Sequence, residues 1–243
     1  MEMCIPVDLL IFSARHRLIK PSRLRTFLLI KSLCPDRFTL DQEVYNSLST
    51  EMGINVKTLK SHIQSLLEAN FLGFDSATRT VFVRGYGTIQ HIIKGRSRYR
   101  VRVRTQDIYN INELILAAAV AYHSKIYSSK KHMPELKNSG SQQGFVKKGK
   151  ILKGYAPLAV SFLGKVLGKS TSWIDRKKKL AIEKGYLSRV KDFMDTNVIW
   201  AERLHYFVAF PDFNGRARRV SGKLCIVGID LLKSNFSLRK KRG

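Results

Sequence analysis

Gly53-Ile54-Asn55-Val56-Lys57-Thr58-Leu59-Lys60-Ser61-His62-Ile63-Gln64-Ser65-Leu66-Leu67-Glu68-Ala69-Asn70-Phe71-Leu72 has a second copy later in the chain. That copy is Gly168-Lys169-Ser170-Thr171-Ser172-Trp173-Ile174-Asp175-Arg176-Lys177-Lys178-Lys179-Leu180-Ala181-Ile182-Glu183-Lys184-Gly185-Tyr186-Leu187. The two align without a gap at a constant offset of 115 residues (168 − 53). Gly meets Gly, Leu59 meets Ile174, and Leu67-Glu68 meets Ile182-Glu183. Asn70-Phe71-Leu72 meets Gly185-Tyr186-Leu187.

Each copy reads as a turn, a helix and the start of a strand. Glycine stands where a helix ends and the backbone turns left-handed. The following helix carries apolar residues at helical spacing: Leu59, Ile63, Leu66 and Leu67 in one copy, Ile174, Ala181 and Ile182 in the other. Asn70 or Gly185 closes it, because both residue types tolerate a positive φ. Upstream, Tyr45, Leu48 and Met52 match Val160, Leu163 and Leu167, the apolar positions of a shorter helix. Downstream, each copy has a candidate two-stranded wing.

This arrangement resembles the recognition half of a winged helix-turn-helix, over roughly residues 22–86 and 110–210. The implied fold class is α+β, with two winged helix-turn-helix units in tandem. The expected division is 1–95 for the first unit with its N-terminal arm, 96–235 for the second, and 236–243 as a basic tail. Tandem units of this kind resemble plasmid and phage replication initiators and mobile-element transcription regulators. The resemblance implies a double-stranded DNA partner. The alternative is a nucleic-acid-packaging structural protein of a virion, or an RNA-binding protein.

Charge points the same way. Lys and Arg number 44 against 18 Asp and Glu, a formal net charge of +26. An excess of that size calls for a polyanionic partner. At 44% hydrophobic the chain can still bury substantial cores. Cys4, Cys34 and Cys225 are far apart and odd in number, so neither a disulfide framework nor a zinc site is indicated. The cytoplasm of a bacterial or phage-infected cell is the expected home. Ile5–Phe12 is apolar but short and interrupted, and reads as a strand or core-packing arm rather than a membrane span.

Between the copies the expectations run in chain order. Ser22 caps a helix over about 23–34, Thr39 or Asp41 caps one over 42–52, and the helix after Gly53 covers about 56–69. Residues 71–74 and 80–84 form the first wing, tipped by Arg79, and Gly85 and Gly87 close the unit. Ser97–Arg104 alternates, with Tyr99, Val101 and Val103 on one face and Arg98, Arg100, Arg102 and Arg104 on the other. The arginines read either as a phosphate comb or minor-groove arm, or as a charged, solvated edge strand. Residues 107–127 form an apolar central helix, part of whose surface is available to a homodimer. Residues 128–155 read as a mobile basic loop, and Pro157 opens the next helix. Asp195–Asn197 is expected as a turn, 198–210 as mostly strand, 211–219 as a polar loop and 224–229 as a last strand.

The DNA-contacting set follows from the helix faces. Lys57, Thr58, Lys60, Ser61 and Gln64 avoid the apolar side of the first recognition helix. Ser172, Trp173, Arg176, Lys177 and Lys179 avoid that of the second, with Lys169 beside them. Arg and Lys suit guanine or phosphate, Gln suits adenine. The Lys177–Lys179 run makes the second unit the expected main source of salt-dependent affinity.

No catalytic or cofactor constellation is present. Gly164-Lys-Val-Leu-Gly168-Lys169-Ser170 is one residue short of a phosphate-binding loop and follows helical rather than strand spacing. The six histidines form no metal-binding pair, and Asp192 and Asp195 read as a hairpin tip. The expectation is a protein without metal, cofactor or enzymatic activity.

Overall fold

The computed structural model describes residues 2–17, 19–129, 154–190, 193–195, 216–220, 223–227 and 230–240. The chain is α+β, helices with small antiparallel sheets.

β1 (Glu2–Pro6) runs directly into α1 (Val7–Arg15). The apolar run Ile5–Phe12 is therefore a strand end followed by a helix, with Pro6 at the N-cap and Asp8 in the first turn. Val7, Leu9 and Leu10 are fully buried, which makes α1 part of the core. α2 (Pro21–Leu33) has Lys20, not Ser22, as N-cap. Pro21 takes the first helical position, where its fixed φ fits and its missing N–H costs nothing.

β2 (Arg37–Thr39) precedes α3 (Gln42–Met52). Asp41 caps α3 by accepting from the Val44 N–H at 2.7 Å. Gly53 then adopts φ +61°, which a side chain would strain. Asn55 caps α4 (Val56–Glu68) through the Thr58 N–H at 2.7 Å. Asn70, at φ +57°, turns the chain into β3 (Leu72–Asp75), and β4 (Thr80–Val83) returns. The hairpin gains a third strand, because β4 pairs with β2 as well as β3. Gly85 and Gly87 do not end the unit: Gly85 is the N-cap of α5 (Tyr86–Ile92). β5 (Tyr99–Arg104) follows, then a 3-10 turn (Thr105–Asn110) and α6 (Ile111–Ser129).

The second copy begins with β6 (Ala156–Pro157). Pro157 thus lies in a strand, not at a helix start, and β6 is an edge strand, where proline is tolerated. α7 (Val160–Leu167) ends at Gly168, φ +62°, and α8 (Thr171–Glu183) is capped by Ser170. Gly185 (φ +72°) leads into β7 (Leu187–Val190). Then come β8 (Phe193–Asp195), β9 (Arg216–Val220), β10 (Lys223–Val227), β11 (Leu231–Ser234) and β12 (Leu238–Lys240). Asp195 is therefore in a strand rather than a turn, and the expected loop 211–219 gives way to β9 from Arg216 onward. Asp192, the strand expected over 198–210 and nearly all of the loop expected over 128–155 fall outside the described residues.

The sheets make the repeat closer than the sequence alignment does. The first copy is β2-α3-α4-β3-β4 with sheet order β2-β4-β3. The second is β6-α7-α8-β7-β11 with sheet order β6-β11-β7. β11 thus stands where β4 stands. Four residues (76–79) separate the last two strands in the first copy and forty (191–230) in the second. That insertion carries its own sheet, β8-β10-β9.

The core is continuous across the expected boundary at residue 95. α6 is its axis: the apolar residues from Ile111 to Ala121 are all buried, so this stretch offers no free face to a second copy. α1 packs on α2 and α6 and on α7 of the second copy. Phe27 meets Phe71 edge to face at 5.4 Å inside the first.

Candidate nucleic-acid interface

α4 is amphipathic by construction. Leu59, Ile63 and Leu66 are buried, and the opposite face exposes Lys57, Lys60, Ser61 and Gln64. Thr58 is half-buried at the cap. The Lys60 ammonium lies 4.9 Å above the Tyr45 ring and 3.4 Å from Gln42 Oε1, while Gln64 Nε2 donates to Glu68 Oε1 at 3.1 Å. Arg79 is exposed at the β3–β4 turn with φ +51°, and its carbonyl accepts from the Leu40 N–H at 3.0 Å. The hairpin tip is thereby fastened beside the start of α3.

The equivalent face of α8, read at the same offset, is Ser172, Asp175, Arg176 and Lys179. Ser172, Arg176 and Lys179 are exposed, whereas Trp173 is half-buried against the core with the Lys169 ammonium 5.9 Å above its ring. The lysine run does not behave as expected. Lys177 Nζ pairs with Glu113 Oε1 of α6 at 2.9 Å, so it is not a free cation on the recognition face. Lys178 is buried and pairs with Asp230 at 3.0 Å and Asp175 at 3.3 Å. The reason is geometric: three consecutive residues span most of a helical turn, so they cannot all face one way. Lys179 remains outside and reaches Asp175 at 3.4 Å. Burial pushes the Asp175 carboxyl up, but the hydrogen bonds and charges of Lys178 and Lys179 outweigh it and hold it below the ordinary carboxylate range. An ionised Asp175 therefore sits on this face. Counted by face, α4 presents two lysines and α8 two cations with a carboxylate between them.

The arginine strand is also placed differently. β5 is the central strand of the sheet β1-β5-β12, neither a free arm nor an edge. Arg100, Arg102 and Arg104 share a face, and Arg98 is exposed just before the strand. β12 sets Arg239 directly opposite Arg100. β1 sets Glu2 opposite Arg104, and Glu2 pairs with Arg102. Arg239 lies in the stretch expected as a basic tail, and its register in β12 makes it a fourth arginine on the sheet.

Gly164-to-Ser170 forms a helix, a left-handed turn and an N-cap. The Lys169 N–H donates back to the Gly164 carbonyl at 3.0 Å, so it is not directed at a phosphate. Among the described residues there is no cluster of three or more His, Cys, Asp or Glu that could hold a metal, and no helix long and apolar enough to cross a membrane. Comparison with protein-family models, curated proteins and solved structures gives no significant match.

Proposed function

We propose that this chain binds double-stranded DNA through two winged helix-turn-helix units, α3–α4 with the β2-β4-β3 wing and α7–α8 with the β6-β11-β7 wing. In this reading α4 and α8 enter successive major grooves, with Lys57, Lys60, Ser61 and Gln64 on one and Ser172, Arg176 and Lys179 on the other. Arg79 and the arginine sheet face contact phosphates, which fix register without reading sequence. The protein then acts as a transcription regulator or replication initiator of a bacterial mobile element or phage.

One observation carries this reading: the repeat of strand, helix, left-handed glycine, helix and two strands, with equivalent sheet order in both copies. A single helical pair with a turn occurs in many proteins. Two copies that each leave a polar recognition face in a chain of net charge +26 have a common use in nucleic acid.

A second reading has one observation in its favour. Arg100 and Arg239 stand opposite each other in a sheet, which is unfavourable without an anion above them. That suits sequence-blind packaging of DNA or RNA. Selection from random duplexes, followed by competition with unrelated DNA at fixed salt, separates the two. A reader of sequence prefers its selected site by about 10³-fold or more; equal affinity for all duplexes establishes packaging instead.

A further inference from the structure

α1, the 94–97 loop, α6 and α7 border an open cleft of about 570 Å³, away from the exposed faces of α4 and α8. Its walls include Phe12, Tyr122 and His123, and its rim includes Arg15, Lys94 and Arg96. All three cations are exposed while all three rings are half-buried. The volume lies within the range of small-molecule sites, roughly 300–1,000 Å³.

The rim is built rather than loose. Lys94 holds φ +52°, an uncommon conformation for a lysine. Its N–H donates to the His91 carbonyl at 3.1 Å, and that of Gly95 to the Gln90 carbonyl at 2.8 Å. Gln90 Nε2 donates to the Ser97 carbonyl at 3.0 Å. Asp8, in the first turn of α1, accepts from the Ser97 N–H at 2.6 Å. A Cβ at Gly95 would stand 2.8 Å from that carboxylate, so glycine is what lets the loop close onto α1. On the far wall Arg15 lies against the turn of the second copy: a Cβ at Gly168 would come within 3.3 Å of Arg15 Cγ. Aromatic walls below three rim cations match a planar ring that carries phosphate.

We propose that this cleft binds a nucleoside phosphate, either free or as an unpaired nucleotide of a nucleic-acid strand. The ring lies among Phe12, Tyr122 and His123, and the phosphate meets Lys94, Arg96 and Arg15. Burial holds His123 below the ordinary imidazole range, so near neutral pH it meets the ring as an uncharged aromatic. Occupancy ties the 94–97 loop to the second copy, because Arg15 touches the turn at Gly168. The inference does not depend on the reading of duplex DNA, since neither recognition face lines the cleft.

Calorimetric titration of the full chain with AMP, with inorganic phosphate and with a short oligothymidylate tests it. AMP is expected to bind saturably and more tightly than phosphate. Lys94→Gly/Arg96→Gln should weaken AMP by about tenfold or more, the scale of losing charge-assisted hydrogen bonds. Glycine accepts the backbone at position 94, so the thermal midpoint should hold. If the oligothymidylate displaces AMP, the nucleotide can come from a strand; if AMP binds undisturbed, it comes free. No saturable binding of AMP or oligonucleotide, phosphate binding as tightly as AMP, or equal affinity in the folded variant would each overturn the proposal.

Discussion

His62 and Lys177 occupy the same place in the two copies, and each latches its helix, α4 or α8, to the helix behind it. His62 Nδ1 lies 2.7 Å from Thr26 Oγ1 of α2, and Lys177 Nζ lies 2.9 Å from Glu113 Oε1 of α6. The chemistry differs while the position is kept. Glu113 is buried, so Lys177→Ala leaves an unpaired carboxylate there. Removing one partner of a buried pair costs about 3–5 kcal/mol, whereas replacing both with apolar residues is close to neutral. Urea melts should show Lys177→Ala strongly destabilised, Lys177→Met/Glu113→Leu largely restored, and the exposed Arg176→Ala nearly unchanged.

The first latch makes stability depend on pH. Burial, then the charges of Arg23 and Arg25, push the His62 imidazole below its ordinary range. The unfolded chain therefore binds the proton first. Stability from this group is complete above about pH 6.5, the unperturbed imidazole value, and falls as pH drops toward the lowered folded value. His123 is shifted the same way by burial and adds to the effect. The urea midpoint should fall between pH 7 and the acid side of that window, and less steeply in His62→Gln.

The two left-handed glycines should respond unequally to alanine. Both adopt nearly the same φ, and a Cβ there costs roughly 1–2 kcal/mol. Around Gly53 nothing lies within 4 Å of an added Cβ, whereas at Gly168 it meets Arg15. Thermal denaturation should rank Gly168→Ala below Gly53→Ala.

The sheet arginines should set affinity without setting sequence preference. Arg100→Gln/Arg104→Gln/Arg239→Gln removes three charges and spares Arg102, which holds Glu2. Each lost phosphate contact flattens the log–log salt slope by about 0.9. The selected site and competitor DNA should weaken in parallel; loss confined to the selected site would place these residues on base edges.

Much of the fold was legible because its signals are local. Gly53, Gly168 and Gly185, the cap Asp41, and the apolar spacing of α4 and α8 depend on neighbours within a turn or two of helix. What stayed hidden depends on distant partners. β2, β6 and β12 have two or three residues each and exist only because β4, β11 and β5 pair with them. Of the candidate site, Lys57, Lys60, Ser61, Gln64, Ser172, Arg176 and Lys179 were legible from helical phase. The Lys177 ion pair is not legible in the sequence, because its partner Glu113 lies 64 residues away. A charge run in sequence is not a charged face.

The central claim is that each copy reads its own stretch of duplex. Hydroxyl-radical footprinting on a selected site measures this directly. Two protected segments are expected for the wild type, one lost in Lys57→Ala/Lys60→Ala and the other in Arg176→Ala/Lys179→Ala, with both variants folded. A single segment that weakens uniformly in both variants, or a footprint that neither variant alters, would contradict it.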